Sequence, residues 1–151
     1  MTNEEEITMD KRPIGVFDSG VGGLTVVKQI MKTLPQENII YFGDTARLPY
    51  GTKSKKTVTK FSKQIVRFLL TKNVKAVIIA CNTASSNSLE ELRQTFDIPI
   101  FGVIVAGVEE ALRSTKNKKV GIIGTSSTIK SKAYETLIAQ TDKSIEVYTK
   151  P

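Results

Sequence analysis

The sequence predicts an α/β fold in which helices flank a parallel β-sheet. Short apolar runs alternate along the chain with amphipathic segments, and this alternation is typical of parallel strands joined by helical crossovers. Small residues follow several of the apolar runs, as expected where a strand turns into a helix. The predicted strands are residues 14–17, 39–43, 76–80, 100–103, 120–124 and 145–148.

Three helices have recognisable start signals. Gly22 and Gly23 open the helix after the first strand, and Ser54 is a suitable N-cap for the second. For the third helix, Ser85 or Ser86 is the expected N-cap. The second helix has its apolar residues on one face, at spacings of three and four: Val58, Phe61, Ile65, Phe68 and Leu69.

Composition restricts the class of protein. The chain has 151 residues, 40% of them hydrophobic, which is enough to bury the core of one ordinary domain. Its one cysteine cannot form an internal disulfide, and residues 2–6 lack the basic and apolar regions of a secretory signal. We therefore expect a cytoplasmic protein with a flexible extension over residues 1–11. The longest apolar stretches, such as residues 101–108, are too short to cross a membrane.

The net charge of +7 suggests an anionic partner. The one local concentration of lysines, at positions 53, 55, 56, 60 and 63, is interleaved mainly with threonine and serine, with a single aromatic residue among them. This pattern favours a solvated helix face over a nucleic-acid surface. A small anionic substrate is an equally good explanation of the charge, and we expect neither a nucleic acid nor a membrane as partner.

A weak internal repeat suggests a pseudo-symmetric protein. Residues 14–19 align with residues 120–125 at an offset of 106, and each segment leads through a small-residue turn into a helix. Any two strand-to-helix turns could match this well, so the repeat alone leaves duplication open. If the duplication is real, the counterpart of Cys81 belongs near position 187, beyond Pro151. The sequence would then hold one complete half and the opening of the second.

Cys81 stands where the apolar run of residues 76–80 gives way to the polar residues 82–86. Ligands of open α/β sheets gather outside the carboxyl ends of the strands. Cys81, Asn82 and Thr83 are therefore expected at the rim of a site. The alternative is that the cysteine is a small buried hydrophobic residue, as many free cysteines are.

Three further turns are candidate parts of the same site. The turn at residues 18–23 could bind phosphate or carboxylate, although it does not match G-x-G-x-x-G. Asp18 within it is a proton acceptor, a partner of the thiol, or simply a helix cap. The loop at residues 43–51 is either a surface loop or a rigid edge with an aromatic wall for a ligand. Residues 124–128 suit a carboxylate, but a plain helix cap explains them equally well.

The residue types present narrow the chemistry. The sequence contains no histidine, so a Cys-His or Ser-His dyad cannot form within it and covalent acylation is disfavoured. Lowering a thiol pKa from about 8.5 to about 7 is worth roughly 2 kcal/mol and makes the thiolate a usable general base. Two such groups on opposite faces of a carbon beside a carbonyl could remove and replace its proton.

Three motifs together closely resemble the bacterial glutamate racemase family. They are residues 15–24, residues 41–46 with 49–51, and residues 80–85. The resemblance covers nearly the whole chain from Arg12 onward, and the order and spacing of the motifs make it specific. It implies interconversion of L- and D-glutamate without cofactor or metal, supplying D-glutamate for peptidoglycan. It also implies two α/β domains with one catalytic cysteine each.

The resemblance assigns roles by position. Cys81 resembles the first-half cysteine that deprotonates D-glutamate, and Asp18 resembles the carboxylate that assists it. The family's second cysteine lies in a Gly-Cys-Thr-His segment that has no counterpart up to Pro151. Positions that match substrate-holding residues are Ser19, Asn82, Thr83 and Thr125. Positions that match a loop closing over the ligand are Pro49, Tyr50 and Gly51.

The domain prediction follows from these matches. Residues 12–104 are expected to form the first racemase domain, without a later segment of chain that completes it in the family. Residues 105–151 are expected to begin the second domain, with the boundary near residues 102–107. Two alternatives stay open: a racemase acting on aspartate, and a non-catalytic binding or interaction fragment. The expected partner is a small molecule, glutamate, and a homodimer is one arrangement expected of the chain.

Overall fold

A computed structural model of the chain describes residues 10–151, and its element order confirms the predicted α/β class. The expected extension over residues 1–11 lies outside the described residues except for its last two. The strands are β1 (Ile14–Asp18), β2 (Ile39–Gly43), β3 (Ala76–Ile79), β4 (Ile100–Gly102), β5 (Lys119–Ile123) and β6 (Glu146–Lys150). The helices are α1 (Leu24–Thr33), α2 (Lys55–Leu70), α3 (Asn82–Thr95), α4 (Ile104–Ser114), α5 (Ser126–Ser131) and α6 (Ala133–Thr141).

The strands form two sheets, and every pairing in them is parallel, as predicted. The first sheet has the order β2-β1-β3-β4, and the second pairs β5 with β6. In the first sheet Phe17 is in register with Phe42 on one side and with Ile79 on the other. Strand β1 is buried along its whole length because it has a neighbour on each edge and helices on its faces. The carboxyl ends of β1, β2 and β3 consequently lie side by side.

The main core lies between the first sheet and helix α2. Val58, Ile65 and Leu69 of that helix are at most 1% exposed, so its predicted apolar face is the packed one. Full burial of such a side chain contributes about 1.5–3 kcal/mol. Gly15 of β1 lets the helix approach closely, because a Cβ there would lie 3.1 Å from the Leu69 side chain. This packing fixes the sheet edge that carries the site.

A second apolar cluster supports the β5-β6 sheet. Ile104 and Val108 of α4 pack with Ile138 of α6 under these strands. Helix α4 therefore packs with the second sheet although it directly follows the last strand of the first. The predicted domain division between residues 104 and 105 stays a prediction, as does the pseudo-symmetry of the two parts.

The helix starts are only partly as predicted. Gly23 precedes the first residue of α1, and the Ser54 side chain accepts a hydrogen bond from the backbone N–H of Thr57, as an N-cap should. The prediction for α3 is wrong, because this helix begins at Asn82 with Cys81 as its N-cap. Ser85 and Ser86 lie inside the first turns, where the Ser85 hydroxyl donates to the backbone carbonyl of Ile79 at 3.0 Å.

The lysine-rich segment is largely on the outside of α2. Lys55, Lys56 and Lys60 are exposed, and Lys63 pairs with Glu91 of α3 at 2.7 Å. This agrees with a solvated helix face. Within residues 10–151, none of the helices has the length and apolarity needed to traverse a bilayer.

Candidate active site

The site lies at the carboxyl edge of the first sheet. Because β1 and β3 are parallel neighbours, Asp18 at the end of one and Cys81 just after the other line the same cavity, which has a volume of about 450 Å³. Both residues are buried, with 7% and 6% of their surface exposed. Among the other lining residues are Gly22, Ala80, Asn82, Val103, Gly107 and Tyr134.

Cys81 has polar partners on two sides. Its Sγ donates to the Ser19 hydroxyl across 3.3 Å, and it accepts the backbone N–H of Ala84 at 3.4 Å. The second contact makes the sulphur the N-cap of α3, at the helix end that favours negative charge. The sulphur is therefore buried but has polar neighbours. A cysteine that only fills space in a core would not need such neighbours.

Asp18 is held by the turn that follows it. Its Oδ2 accepts the backbone N–H groups of Gly20 and Gly23, at 3.2 and 3.0 Å. A Cβ at position 23 would lie 2.7 Å from the Asp18 Cβ and 2.9 Å from the Ala80 Cβ, so only glycine fits there. The capping interpretation of Asp18 is thus supported. Both of these bonds end on Oδ2, so the turn fixes that oxygen of the carboxylate.

A tyrosine adds to the electrostatics beside this pair. Tyr41 of β2 donates its hydroxyl to the carbonyl of Gly20 at 2.8 Å. Its burial raises its pKa, and the negative charges that Asp18 and Cys81 can carry raise it further. Tyr41 therefore stays a neutral donor at physiological pH. Within the described residues no group of three acidic or cysteine side chains is placed to hold a metal ion.

Three threonines join the first sheet's edge to α5. Thr83 Oγ1 lies 2.9 Å from Thr125 Oγ1 and 3.2 Å from Thr128 Oγ1. Thr125 is also the N-cap of α5, since its side chain accepts the backbone N–H of Thr128 at 3.2 Å. The predicted cap is therefore present, and the structure brings Thr125 to Thr83, two residues from the cysteine.

The loop at residues 49–51 differs from its expectation in one respect. The ring of Tyr50 is 1% exposed and lies in the main core, so the prediction of an aromatic wall for a ligand is wrong. Pro49 is exposed, and Gly51 packs against α5: a Cβ at position 51 would lie 2.5 Å from Thr125 Cγ2. The loop can therefore meet a ligand only through its backbone and Pro49.

Asn82 and a residue that the sequence did not reveal meet across the cavity. The Tyr134 hydroxyl of α6 donates to Asn82 Oδ1 at 2.5 Å. Tyr134 is half-buried, and this burial raises its pKa. Gly107 makes room for the ring, because a Cβ there would lie 3.3 Å from it. A single tyrosine in a short helix carries no sequence signal for such a contact.

Comparison with known proteins places the chain in a family. The model of the Asp/Glu/hydantoin racemase family matches residues 14–149. A glutamate racemase from Geobacter metallireducens is 53% identical over 142 residues, which cover 94% of this chain and 53% of that protein. The chain spans about half the length of the curated relatives it matches.

Solved structures agree with this family. A glutamate racemase isoform from Bacillus anthracis superposes with a TM-score of 0.90 at 42% identity, over 93% of this chain and 53% of that one. The glutamate racemase of Francisella tularensis in complex with D-glutamate gives 0.84 at 50% identity, over 93% and 53%. From the extent of the family match and this agreement in fold, the chain belongs to the Asp/Glu/hydantoin racemase family.

Proposed function

We propose that this chain is the part of a glutamate racemase that carries the first of its two catalytic thiols. The observation that carries the proposal is the placement of Cys81. Cys81 and Asp18 line the same cavity, and the cysteine sulphur lies between the Ser19 hydroxyl and the Ala84 N–H of a helix. The reaction needs a base of this kind beside the α-carbon of an amino acid.

The proton transfer can be written from these groups. The Cys81 thiolate removes the α-proton of D-glutamate and becomes a thiol, and the electron pair remains on the substrate as a carbanion delocalised into its α-carboxylate. The Ala84 N–H donates to the sulphur, and once the thiol has lost its proton the Ser19 hydroxyl donates to it in turn, so that both stabilise the thiolate before the transfer. Asp18 assists as the polar partner of this step. Return of a proton to the opposite face completes inversion.

The presence of a single thiol limits the reaction that this chain can carry out by itself. Inversion needs a donor on the far side of the carbanion, and the resemblance gives that role to a second cysteine. Cys81 is the one cysteine in the sequence. The 151-residue chain by itself therefore returns a proton to the same face, which exchanges the α-hydrogen without changing the enantiomer.

The remaining site residues hold the substrate in this proposal. Ser19 contacts the cysteine and Asn82 lines the same cavity. Thr83 lies two residues after the cysteine in the chain, and it connects Thr125 to this part of the fold through the contact between their hydroxyls. The loop of Pro49, Tyr50 and Gly51 contributes backbone groups, since the Tyr50 ring lies in the core. Support comes from the 50% identity to a racemase solved with D-glutamate.

The experiment compares two substrates that differ by one methylene. We expect the chain to incorporate α-deuterium from heavy water into D-glutamate at least about tenfold faster than into D-aspartate, because a pocket distinguishes one methylene by roughly 1–3 kcal/mol. Faster exchange into D-aspartate would favour the alternative of a racemase acting on aspartate. Binding of glutamate without any exchange would favour the non-catalytic fragment. A homodimer and a cytoplasmic location stay predictions.

A further inference from the structure

Asp44 is a buried carboxylate with no part in the proton transfer described above. It directly follows β2 and is 3% exposed. Its backbone N–H donates to the carbonyl of Asp18 at 2.9 Å, which anchors it at the same sheet edge as the site. Burying a carboxylate is unfavourable unless it is paired and hydrogen-bonded. The ion-pair and hydrogen-bond partners of Asp44 therefore indicate its role.

One partner ties Asp44 to helix α2. Arg47 Nε lies 2.7 Å from Asp44 Oδ2, and Arg47 Nη1 donates to Gln64 Oε1 at 2.5 Å. The guanidinium also lies over the ring of Phe61, 4.4 Å from its centre. An arginine fixed at three points holds the carboxylate in one position.

The other partner is Tyr50, whose hydroxyl donates to Asp44 Oδ2. The ring lies in the core against Phe61, with 5.7 Å between ring centres. Burial and the bond to Asp44 both raise the pKa of Tyr50, so that it remains a donor. Tyr50 is thus held at its ring by packing and at its hydroxyl by the carboxylate.

Gly51, the residue after Tyr50, connects the fixed tyrosine to α5. Gly51 lies against Thr125, and its carbonyl accepts the backbone N–H of Ser127 at 3.1 Å. Thr125 in turn contacts Thr83, beside the cysteine. The backbone between Asp44 and α5 is therefore held at both ends.

We infer that Asp44 is a positioning residue, which through the Tyr50 hydroxyl fixes the backbone of residues 49–51 as one wall of the substrate site. The inference has two parts. The first, that this wall faces glutamate, rests on the proposed function. The second, that Asp44 holds the loop against α5, is independent of the proposed function, so each part needs its own measurement.

The test removes the hydrogen bond while leaving the ring in place. Tyr50→Phe deletes the hydroxyl, and Asp44→Asn removes the charge and serves as a second variant. The control Tyr148→Phe makes the same chemical change on β6, where the hydroxyl donates to Glu146. The first readout is amide hydrogen exchange at Ser127, which reports its bond to Gly51, compared with Val77, whose N–H donates to Pro99 in the first sheet.

Loss of one buried hydrogen bond should speed exchange at Ser127 about tenfold in both variants, with Val77 unchanged and no effect of Tyr148→Phe. The apparent KM for D-glutamate in deuterium exchange should rise at least about fivefold, with kcat nearly constant. Unaltered exchange at Ser127, or equal acceleration at Ser127 and Val77, would overturn the positioning role. A normal Ser127 response with no wild-type activity toward glutamate would instead refute the proposed function alone.

Discussion

The Sγ of Cys81 and the Oγ of Ser19 lie 3.3 Å apart, at the carboxyl ends of neighbouring parallel strands. Parallel pairing brings these residues together although 62 positions separate them in the chain. On its other side, the sulphur accepts the Ala84 N–H at the start of α3. The buried thiol therefore lies between a hydroxyl and a backbone N–H at a helix N-terminus, two polar neighbours that come from different segments of the chain.

The Ser19 hydroxyl should matter for activity more than for folding. Ser19→Ala removes a polar partner of the sulphur, and we expect kcat/KM for α-deuterium exchange into D-glutamate to fall about tenfold, since hydrogen bonds to charged groups contribute roughly 1.5–3 kcal/mol. Kinetics in heavy water would measure this. Ser144→Ala, in an exposed turn, is the matched control. Equal rates for the two variants would remove Ser19 from the account.

Gly51 should not tolerate a side chain. A Cβ there would lie 2.5 Å from Thr125 Cγ2, and we expect Gly51→Ala to lower the free energy of unfolding by about 1–3 kcal/mol as the loop is displaced. Gly121→Ala is the control, because a Cβ at position 121 meets nothing within 4 Å. Urea denaturation compares the two. If they are equally stable, the loop does not pack on α5 as described.

The threonine contact should couple the two sheets energetically. Thr83→Val and Thr125→Val each remove a hydroxyl from the pair that is 2.9 Å apart. A double-mutant cycle on the free energy of unfolding should give a coupling of about 0.5–1.5 kcal/mol. Thr136→Val, on the exposed part of α6, controls for the substitution itself. Strictly additive effects would show that the hydroxyls do not interact.

Tyr50 should make the chain sensitive to alkali. Its pKa is raised in the fold by burial and by Asp44, whereas an unfolded tyrosine titrates near 10. The unfolded state therefore loses its proton first, and stability falls as pH rises above about 10. Tyr50→Phe should be less stable at neutral pH and should lose less stability between about pH 9 and pH 11. Urea titrations at several pH values would measure the free energy of unfolding of both proteins. If the two free energies fall equally with pH over this range, the role of Tyr50 is contradicted.

The sequence allowed the strands to be predicted closely because most of them are short apolar runs, several of which are followed by small residues. Cys81 was placed at the correct sheet edge for the same reason. The start of α3 was missed because a cysteine is an unusual N-cap, whereas Ser85 and Ser86 resemble ordinary ones. Local composition favours serine, but the sulphur occupies the capping position.

The features that were missed depend on contacts between distant segments. The Tyr50 side chain was expected to face a ligand. Instead its ring packs against Phe61 in the core and its hydroxyl donates to Asp44. Tyr134 reaches Asn82 from 52 residues away. Neither contact leaves a periodic or motif signal, because only the packed fold brings the partners together.

The most direct test of the account is α-deuterium incorporation into D- and L-glutamate, offered separately in heavy water to the 151-residue chain and to its Cys81→Ala variant, with optical rotation followed throughout. We expect exchange into D-glutamate alone, without inversion, and no exchange by the variant. Exchange that survives in Cys81→Ala, or rapid inversion by the wild-type chain, would contradict the assignment of Cys81 as its single catalytic base.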